Sequence, residues 1–331
     1  MKIAFIGKSG AGKSCLFELI TKNSDYRELP QGGKLATISI PDERFNALVS
    51  ALKPKRCRSV EAQIVDPGPG LRLNSPNIAD SDILVVISEG SALDIKEVID
   101  KIFARDEEIV DKKLMTLEQE MKKRHGQEDL EVEFTVFKKV KQLLSHKNFL
   151  SFGDFSSQEI KIIHNIQPLS FKKIYVVINQ EEKEISNEVV NFLKKMGLQY
   201  QVFSVSLHYE IAQLPPREQD LYYQEYNLDE NQVDNLLKSI YSASGYITFY
   251  TVVNEEVRAW PLRKGEDILT AAGKIHTDMA RGFIRAEVIS FDDFSQCDFS
   301  LPQAREKGIL RLESKEYIVQ DGDVVYIRFK V

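Results

Sequence analysis

Cysteine is scarce: Cys15, Cys57 and Cys297 are the only three in 331 residues. They are far apart, odd in number and without metal-ligand spacing, which argues against a disulfide framework or a cysteine zinc site and points to a reducing compartment. Long apolar runs are also missing, and none approaches the roughly 20 residues that a bilayer-spanning helix requires. Nor is there an excess of positive charge. With 44 basic and 50 acidic residues the formal net charge is −6, so any nucleic-acid contact has to come from a local basic patch. Met1 leads straight into a strand-like run, so no signal peptide is expected and the expected location is cytoplasmic. The hydrophobic content of 43% is enough for two or three globular domains at this length.

The most informative stretch present is Gly7-Lys8-Ser9-Gly10-Ala11-Gly12-Lys13-Ser14, a G-x-x-x-x-G-K-S loop. Ile3–Ile6 before it is a short apolar run, as expected of a parallel strand buried on both faces. Cys15–Ile20 after it has the spacing of an amphipathic helix. Strand, glycine loop and helix in that order form the context of a phosphate site. Gly7, Gly10 and Gly12 free the backbone to wrap an anion with amides pointing inward at a helix N-terminus. Lys13 is placed to reach the β- and γ-phosphates, which makes it the one catalytic candidate, and Ser14 to ligate Mg²⁺. The candidate nucleotide contacts from this loop are Gly7, Ser9, Gly10, Ala11, Gly12, Lys13, Ser14 and Cys15. An ordinary glycine-rich βα turn with a surface lysine is the plain alternative.

Further parallel strands are predicted at Gln63–Asp66, Ile83–Ser88, Ile174–Asn179 and Gln201–Ser206, so a doubly wound α/β domain is expected. Between the second and third of these lies an insertion. Apolar residues recur at Ile95, Val98, Ile102, Ile109, Leu117 and Met121, and again at Val132, Val136, Val140 and Leu143. With a turn at His125-Gly126-Gln127, these predict an antiparallel helical hairpin. Its alternating charges read as a solvated face. After residue 245 the character changes. Strands at Ile247–Val253 and Val257–Leu262, joined by an Asn254-Glu255-Glu256 turn, precede a helix at Leu269–Ile275. Strands at Phe283–Ile289, Tyr317–Val319 and Val324–Val331 complete a small β-grasp-like module. The expected domains are therefore 1–92 with 160–244 for nucleotide, 93–159 for the arm, and 245–331 for the β-grasp.

Several blocks together resemble the YchF/Obg-like ATPase family of translation-factor-class P-loop proteins. Gly245–Thr251, Glu256–Trp260, Ala271–Asp278, Arg281–Ile289 and Tyr317–Val324 look like that family's TGS domain. Pro41–Phe45 and Lys53–Arg56 resemble the segment following its switch I. The resemblance implies ATP binding with slow hydrolysis and association with ribosomes. It also implies a base-recognition role for Asn179-Gln180-Glu181-Glu182. The related guanine-selective loop reads Asn-Lys-x-Asp. Here the lysine is absent and the fourth position is Glu182, similar to the form that accompanies adenine preference. Asn179, Gln180 and Glu182 are therefore candidate base contacts, with a polar helix-capping loop as the alternative. Ser204 and Val205 occupy the family's Ser-Ala-Lys loop, with Ser206 in place of the lysine. Asp66, at the end of its strand, is the candidate carboxylate standing behind the direct Mg²⁺ ligands by analogy with a Walker-B carboxylate, although an Asp before Pro-Gly is also a routine turn residue.

Four departures bear on catalysis. Pro69 stands where a glycine amide would meet the γ-phosphate, and proline has no N–H. The glycine-rich switch II is largely missing between Leu71 and Asp82. The switch I region, Tyr26–Ile40, is short, and Thr37 is only near the place of a metal-ligating threonine. Gly10 replaces the asparagine of potassium-stimulated relatives. No residue can be named as catalytic base. The expected activity is an ATP-preferring, Mg²⁺-dependent NTPase with GTP weaker, acting with a ribosome or another translation-related RNA or protein and no membrane. The alternative is a non-hydrolysing, nucleotide-stabilised adaptor. A small-molecule kinase would need an arginine-rich lid, and no such segment is present.

Overall fold

A computed structural model describes residues 1–22, 24–29, 32–123, 128–181, 184–226, 228–229 and 231–330. In chain order the strands are β1 (Lys2–Ile6), β2 (Tyr26–Leu29), β3 (Gly33–Ser39), β4 (Arg56–Arg58), β5 (Glu61–Asp66), β6 (Ile83–Ser88), β7 (Lys173–Ile178), β8 (Gln199–Val202), β9 (Tyr246–Val253), β10 (Glu256–Arg263), β11 (Phe283–Ser290), β12 (Arg311–Glu313) and β13 (Asp323–Phe329). Two compact units result: Met1–Ile38 with Gln63–Val233, and Ser39–Ala62 with Asp234–Val331.

The first unit is built on a seven-stranded sheet of order β2-β3-β5-β1-β6-β7-β8. The pairs from β5 through β1, β6 and β7 to β8 are parallel, and β2 against β3 is antiparallel. All six residues of β6 are buried, as an apolar, β-branched run covered on both faces should be. β1 sits between β5 and β6, so the strand order reverses across its C-terminal end. Doubly wound sheets open a ligand crevice at that topological position.

The inserted helices run Ala92–Lys123 and Glu128–Ser145. Their ion pairs, Lys113–Glu133 at 2.8 Å, Lys141–Asp111 at 2.7 Å and Lys147–Asp100 at 2.5 Å, fix an antiparallel pairing. Val110, Leu114 and Leu117 meet Val136, Phe137, Val140 and Leu144 in the buried seam. Val132, counted in the apolar stripe from sequence, is 40% exposed. The expected turn at His125–Gln127 lies outside the described residues. At the arm's base, Asp106 is fully buried; it accepts the Ser170 amide at 2.7 Å and pairs with Arg105 at 2.6 Å.

The second unit has a six-stranded sheet of order β12-β11-β13-β9-β10-β4. β9 and β10 form a hairpin whose two turn residues, Asn254 and Glu255, have φ of 51° and 58°, the twist that a two-residue connection favours. The helix Ile268–Ile275, capped by Asp267 on the Thr270 amide, covers a core of Ile247, Phe249, Trp260, Leu262, Ala286, Val288 and Val325. The segment Ser39–Ala62 belongs to this unit through β4, which pairs parallel with β10, and through the helix Glu43–Leu52. Asp42 caps that helix and accepts the Tyr250 hydroxyl at 2.6 Å, while Arg44 meets Asp321 at 2.9 Å.

Two expected strands differ. Gln201–Ser206 is strand only to Val202, because Ser204 precedes a helix, Val205–Ala212, that claims the rest. Tyr317–Val319 makes a single bridge, Asp267 to Ile318, and no ladder. Removing the buried Asp106 carboxylate leaves the Ser170 amide without its acceptor and Arg105 with Asn74 Oδ1 at 3.2 Å but no carboxylate, so Asp106→Ala is expected to lower stability by about 3 kcal/mol, read as a lower urea midpoint. An unchanged midpoint would contradict that anchoring role.

Candidate functional site: the glycine loop after β1

The loop from Gly7 to Gly12 leaves the C-terminal end of β1, and the helix Lys13–Thr21 begins directly behind it. Close approach explains its glycines. A Cβ on Gly7 would lie 2.4 Å from the Ile87 carbonyl oxygen of neighbouring β6. Gly12 has φ of 96°, and a Cβ there would lie 2.7 Å from Asn179 Nδ2. Lys13 is 5% exposed, and its ammonium donates to the carbonyls of Gly7 at 3.0 Å and Lys8 at 2.7 Å. Burial holds its pKa below the ordinary lysine value, and Asp66 opposes that effect. A desolvated cation inside a curl of backbone, at a helix N-terminus, is an arrangement that favours a bound anion.

Ser14 and Asp66 are brought together: the serine Oγ donates to Oδ2 at 2.7 Å. Asp66 is 1% exposed, and its other oxygen accepts the Gly68 amide at 2.9 Å. A serine hydroxyl oriented by a carboxylate beside a phosphate loop suits Mg²⁺, which takes its remaining ligands from phosphate and water. Among the described residues no cluster of three or more His, Cys, Asp or Glu could hold a metal ion. Cys15 is half-buried and free, and Ser9 and Gly10 are exposed at the loop's crest.

Asn179 is placed at the centre. Its Nδ2 donates to the Ala11 carbonyl at 3.2 Å, and its Oδ1 accepts the Val205 amide at 2.9 Å. One side chain therefore joins the phosphate loop, the end of β7 and the start of the helix Val205–Ala212. Gln180 turns away, donating from Nε2 to the Glu184 carbonyl at 2.8 Å. Ser204 Oγ is buried without a hydrogen-bond partner among the described residues. Glu182 lies outside the described residues.

The neighbouring segments are less suited to sensing a third phosphate. The Gly68 amide is committed to Asp66 and Pro69 has none. Gly33 backs onto the Asp66 carbonyl, its Cβ position 3.0 Å away. Thr37 is exposed four residues farther along β3, roughly 13 Å on at the usual strand rise, so it is not brought to the Ser14–Asp66 pair. Sequence reasoning missed four ties that fix the loop's surroundings: Lys8 to Asp94 and Glu97 at 2.5 and 2.7 Å, and Glu18 to both Lys34 and Tyr209 at 2.7 Å. Each joins residues distant in sequence, and no local spacing signals it. The cavities of about 750 and 720 Å³ elsewhere in the molecule exceed the 70 Å³ recess beside Lys8 and Ser9. Volume therefore does not mark this site, whereas its backbone and polar geometry do.

The YchF-GTPase_C family model, described as "Protein of unknown function (DUF933)", matches residues 246–330. The chain is 30% identical to "Obg-like ATPase 1" of Oryza sativa subsp. japonica, across all of this chain and 92% of that one. The chain belongs to the YchF/Obg-like ATPase family. "Ribosome-binding ATPase YchF" of Bacillus subtilis (strain 168) is 28% identical, over 98% of both chains. Among solved structures, the "Structure of the Schizosaccharomyces pombe YchF GTPase" superposes with a TM-score of 0.79 at 22% identity, covering 99% of this chain and 97% of that one. That likeness establishes the YchF fold: a P-loop unit carrying a helical insertion, followed by a C-terminal β-grasp unit.

The close Gly7–Ile87 approach yields a direct check. Gly7→Ala must push β1 from β6 and is expected to lower stability by about 1–3 kcal/mol. Ser9→Ala at the exposed crest is expected to change it by less than about 0.5 kcal/mol. Denaturant titration of both variants tests this; equal midpoints would refute the packing account.

Proposed function

We propose that this chain is an ATP-preferring, Mg²⁺-dependent nucleoside triphosphatase of low turnover, whose nucleotide state regulates contact with the ribosome or another translation-related RNA or protein. The observation that carries the reading is the convergence of Lys13, the Ser14–Asp66 pair and Asn179 on one glycine loop. The curated relatives are named ATPases, and the Bacillus subtilis one is named ribosome-binding. The structural neighbour is titled a GTPase, so base preference rests on Asn179-Gln180-Glu181-Glu182, in which no lysine follows the asparagine.

In this reading the loop amides and Lys13 neutralise the phosphate tail and stabilise charge that develops during in-line attack by water. Ser14 and Asp66 would hold Mg²⁺, which when bound screens the phosphate oxygens. Asn179 keeps the base-side loop and the phosphate loop in register. Ser204 and Val205 offer backbone contacts to the base. No side chain among these is placed to orient the attacking water, which accords with slow chemistry.

A second reading, a nucleotide-stabilised adaptor without turnover, is favoured by one observation: the position expected to greet the γ-phosphate is Pro69, and the adjacent Gly68 amide is already used. Single-turnover ATP hydrolysis separates the two. Under the leading reading Lys13→Ala lowers the rate by about 100-fold or more, and chelation of Mg²⁺ abolishes it. Equal background rates in wild type and variant, with ATP still bound, would establish the adaptor instead. Asn179→Ala breaks both hydrogen bonds and is expected to raise the ATP Kd about tenfold, or ~1.4 kcal/mol, measured by calorimetry. An unchanged Kd would remove Asn179 from the site.

A further inference from the structure

Arg58 and Arg258 face each other directly across the β4–β10 pairing. Cross-strand partners lie on one face of a sheet within contact range, and two like charges there are unfavourable unless something compensates them. The register contains its own comparison. One step away, Arg56 stands opposite Glu256, an opposite-charge pair with a closest approach of 4.0 Å. Arg58 and Arg258 have no such arrangement. Neither guanidinium makes a hydrogen bond or an ion pair of 4 Å or less among the described residues.

Arg258 is nevertheless held in place. Its guanidinium carbon lies 3.7 Å from the Trp260 ring centroid. Trp260 in turn is 8% exposed and donates from Nε1 to Thr251 Oγ1 at 2.9 Å. An arginine held against a fixed indole has its planar fork of N–H donors positioned at little further entropic cost. Both arginines line one open cavity of about 340 Å³, together with Ser59, Glu61 and Pro261. Burial and the neighbouring Arg58 lower the Arg258 pKa, while Glu256 and Glu61 act in the opposite direction. Glu61 is thus the one carboxylate lining the cavity, set against two guanidiniums. Lys53 is exposed on the chain entering β4, whereas Lys55 and Arg56 are paired there with Glu255 at 2.6 Å and Glu256 at 4.0 Å, so the uncompensated charge is concentrated at Arg58 and Arg258.

We propose that Arg58 and Arg258 form a clamp for a phosphate group, a second anion site separate from the glycine loop. The chemistry is the bidentate pairing of guanidinium forks with phosphate oxygens. The indole face is already covered by Arg258, so the clamp holds phosphate without reading a base. The phosphate can come from an RNA backbone or from a free polyphosphate. The RNA source deepens the partner half of the proposed function and rests on it; the clamp itself does not depend on the nucleotide half.

The test uses the full chain, a short labelled single-stranded RNA followed by anisotropy across about 50–200 mM salt, and inorganic pyrophosphate followed by calorimetry. Arg58 is exposed, so Arg58→Gln leaves the core intact. It is expected to weaken RNA binding about fivefold and to flatten the slope of log affinity against log salt by about 0.7. Arg258→Lys keeps the charge but loses the fork, and is expected to weaken binding with little change in slope. If the source is a free polyphosphate, wild type binds no RNA, and its isotherm contains one pyrophosphate site more than that of Arg58→Gln. Identical RNA affinity, salt slope and pyrophosphate stoichiometry in wild type and Arg58→Gln would overturn the clamp. ATP affinity measured on the same samples reports separately on the glycine loop, so failure of one site is not mistaken for failure of the other.

Discussion

The carboxamide of Asn179 is the joint on which the nucleotide unit depends. It donates to the phosphate loop at Ala11 and accepts from Val205 at the start of a helix. Asn179 is thereby tied to a loop 168 residues away in sequence and to the helix that follows β8. The same side chain occupies the space that a Cβ on Gly12 would enter, so the glycine and the asparagine are a matched choice. An aspartate there could accept the Val205 amide but could not donate to the Ala11 carbonyl. Lys13 and the Ser14–Asp66 pair then work on a loop whose shape is already fixed.

A second constraint acts on the segment following β3. The chain leaves the parallel sheet by β3, contributes Ser39–Ala62 to the second unit, and returns by β5. Within that unit the segment is pinned by Tyr250 on Asp42, by Arg44 on Asp321 and by the β4 ladder. This gives a physical reason for the two short sequence blocks around Pro41–Phe45 and Lys53–Arg56: their polar residues make contacts inside the C-terminal β-grasp unit. The strand before the segment packs at Gly33 against Asp66, so one continuous stretch of chain runs from the metal-binding candidate to the basic edge strand carrying Arg58.

Much of this was legible in the sequence because its signals are local. The glycine loop, the uninterrupted apolar run of β6, the helical periodicity from Ile95 and the Asn-Glu hairpin turn each report on neighbours within a few residues. Helix termini and strand ends were less legible. Gln201–Ser206 reads as β-branched and apolar, yet Ser204 starts a helix because Asn179, far away in sequence, captures the Val205 amide. β4 was invisible: three exposed residues with two arginines have no strand pattern until β10 supplies the ladder. The membership of Ser39–Ala62 in the second unit depends on a tyrosine more than 200 residues downstream, and no spacing rule reaches that far. For the site, the loop residues and Asp66 could be named from pattern, whereas the Ser14–Asp66 hydrogen bond and the bridging role of Asn179 required coordinates.

Titration calorimetry of the full chain with ATP, GTP and ADP, in the presence and absence of Mg²⁺, tests the central claim most directly. The account predicts that ATP and ADP bind at one site, that Mg²⁺ tightens ATP, and that GTP binds more weakly than ATP. GTP binding as tight as ATP would contradict the reading of the loop at Asn179, and absence of binding by all three would contradict the phosphate site itself.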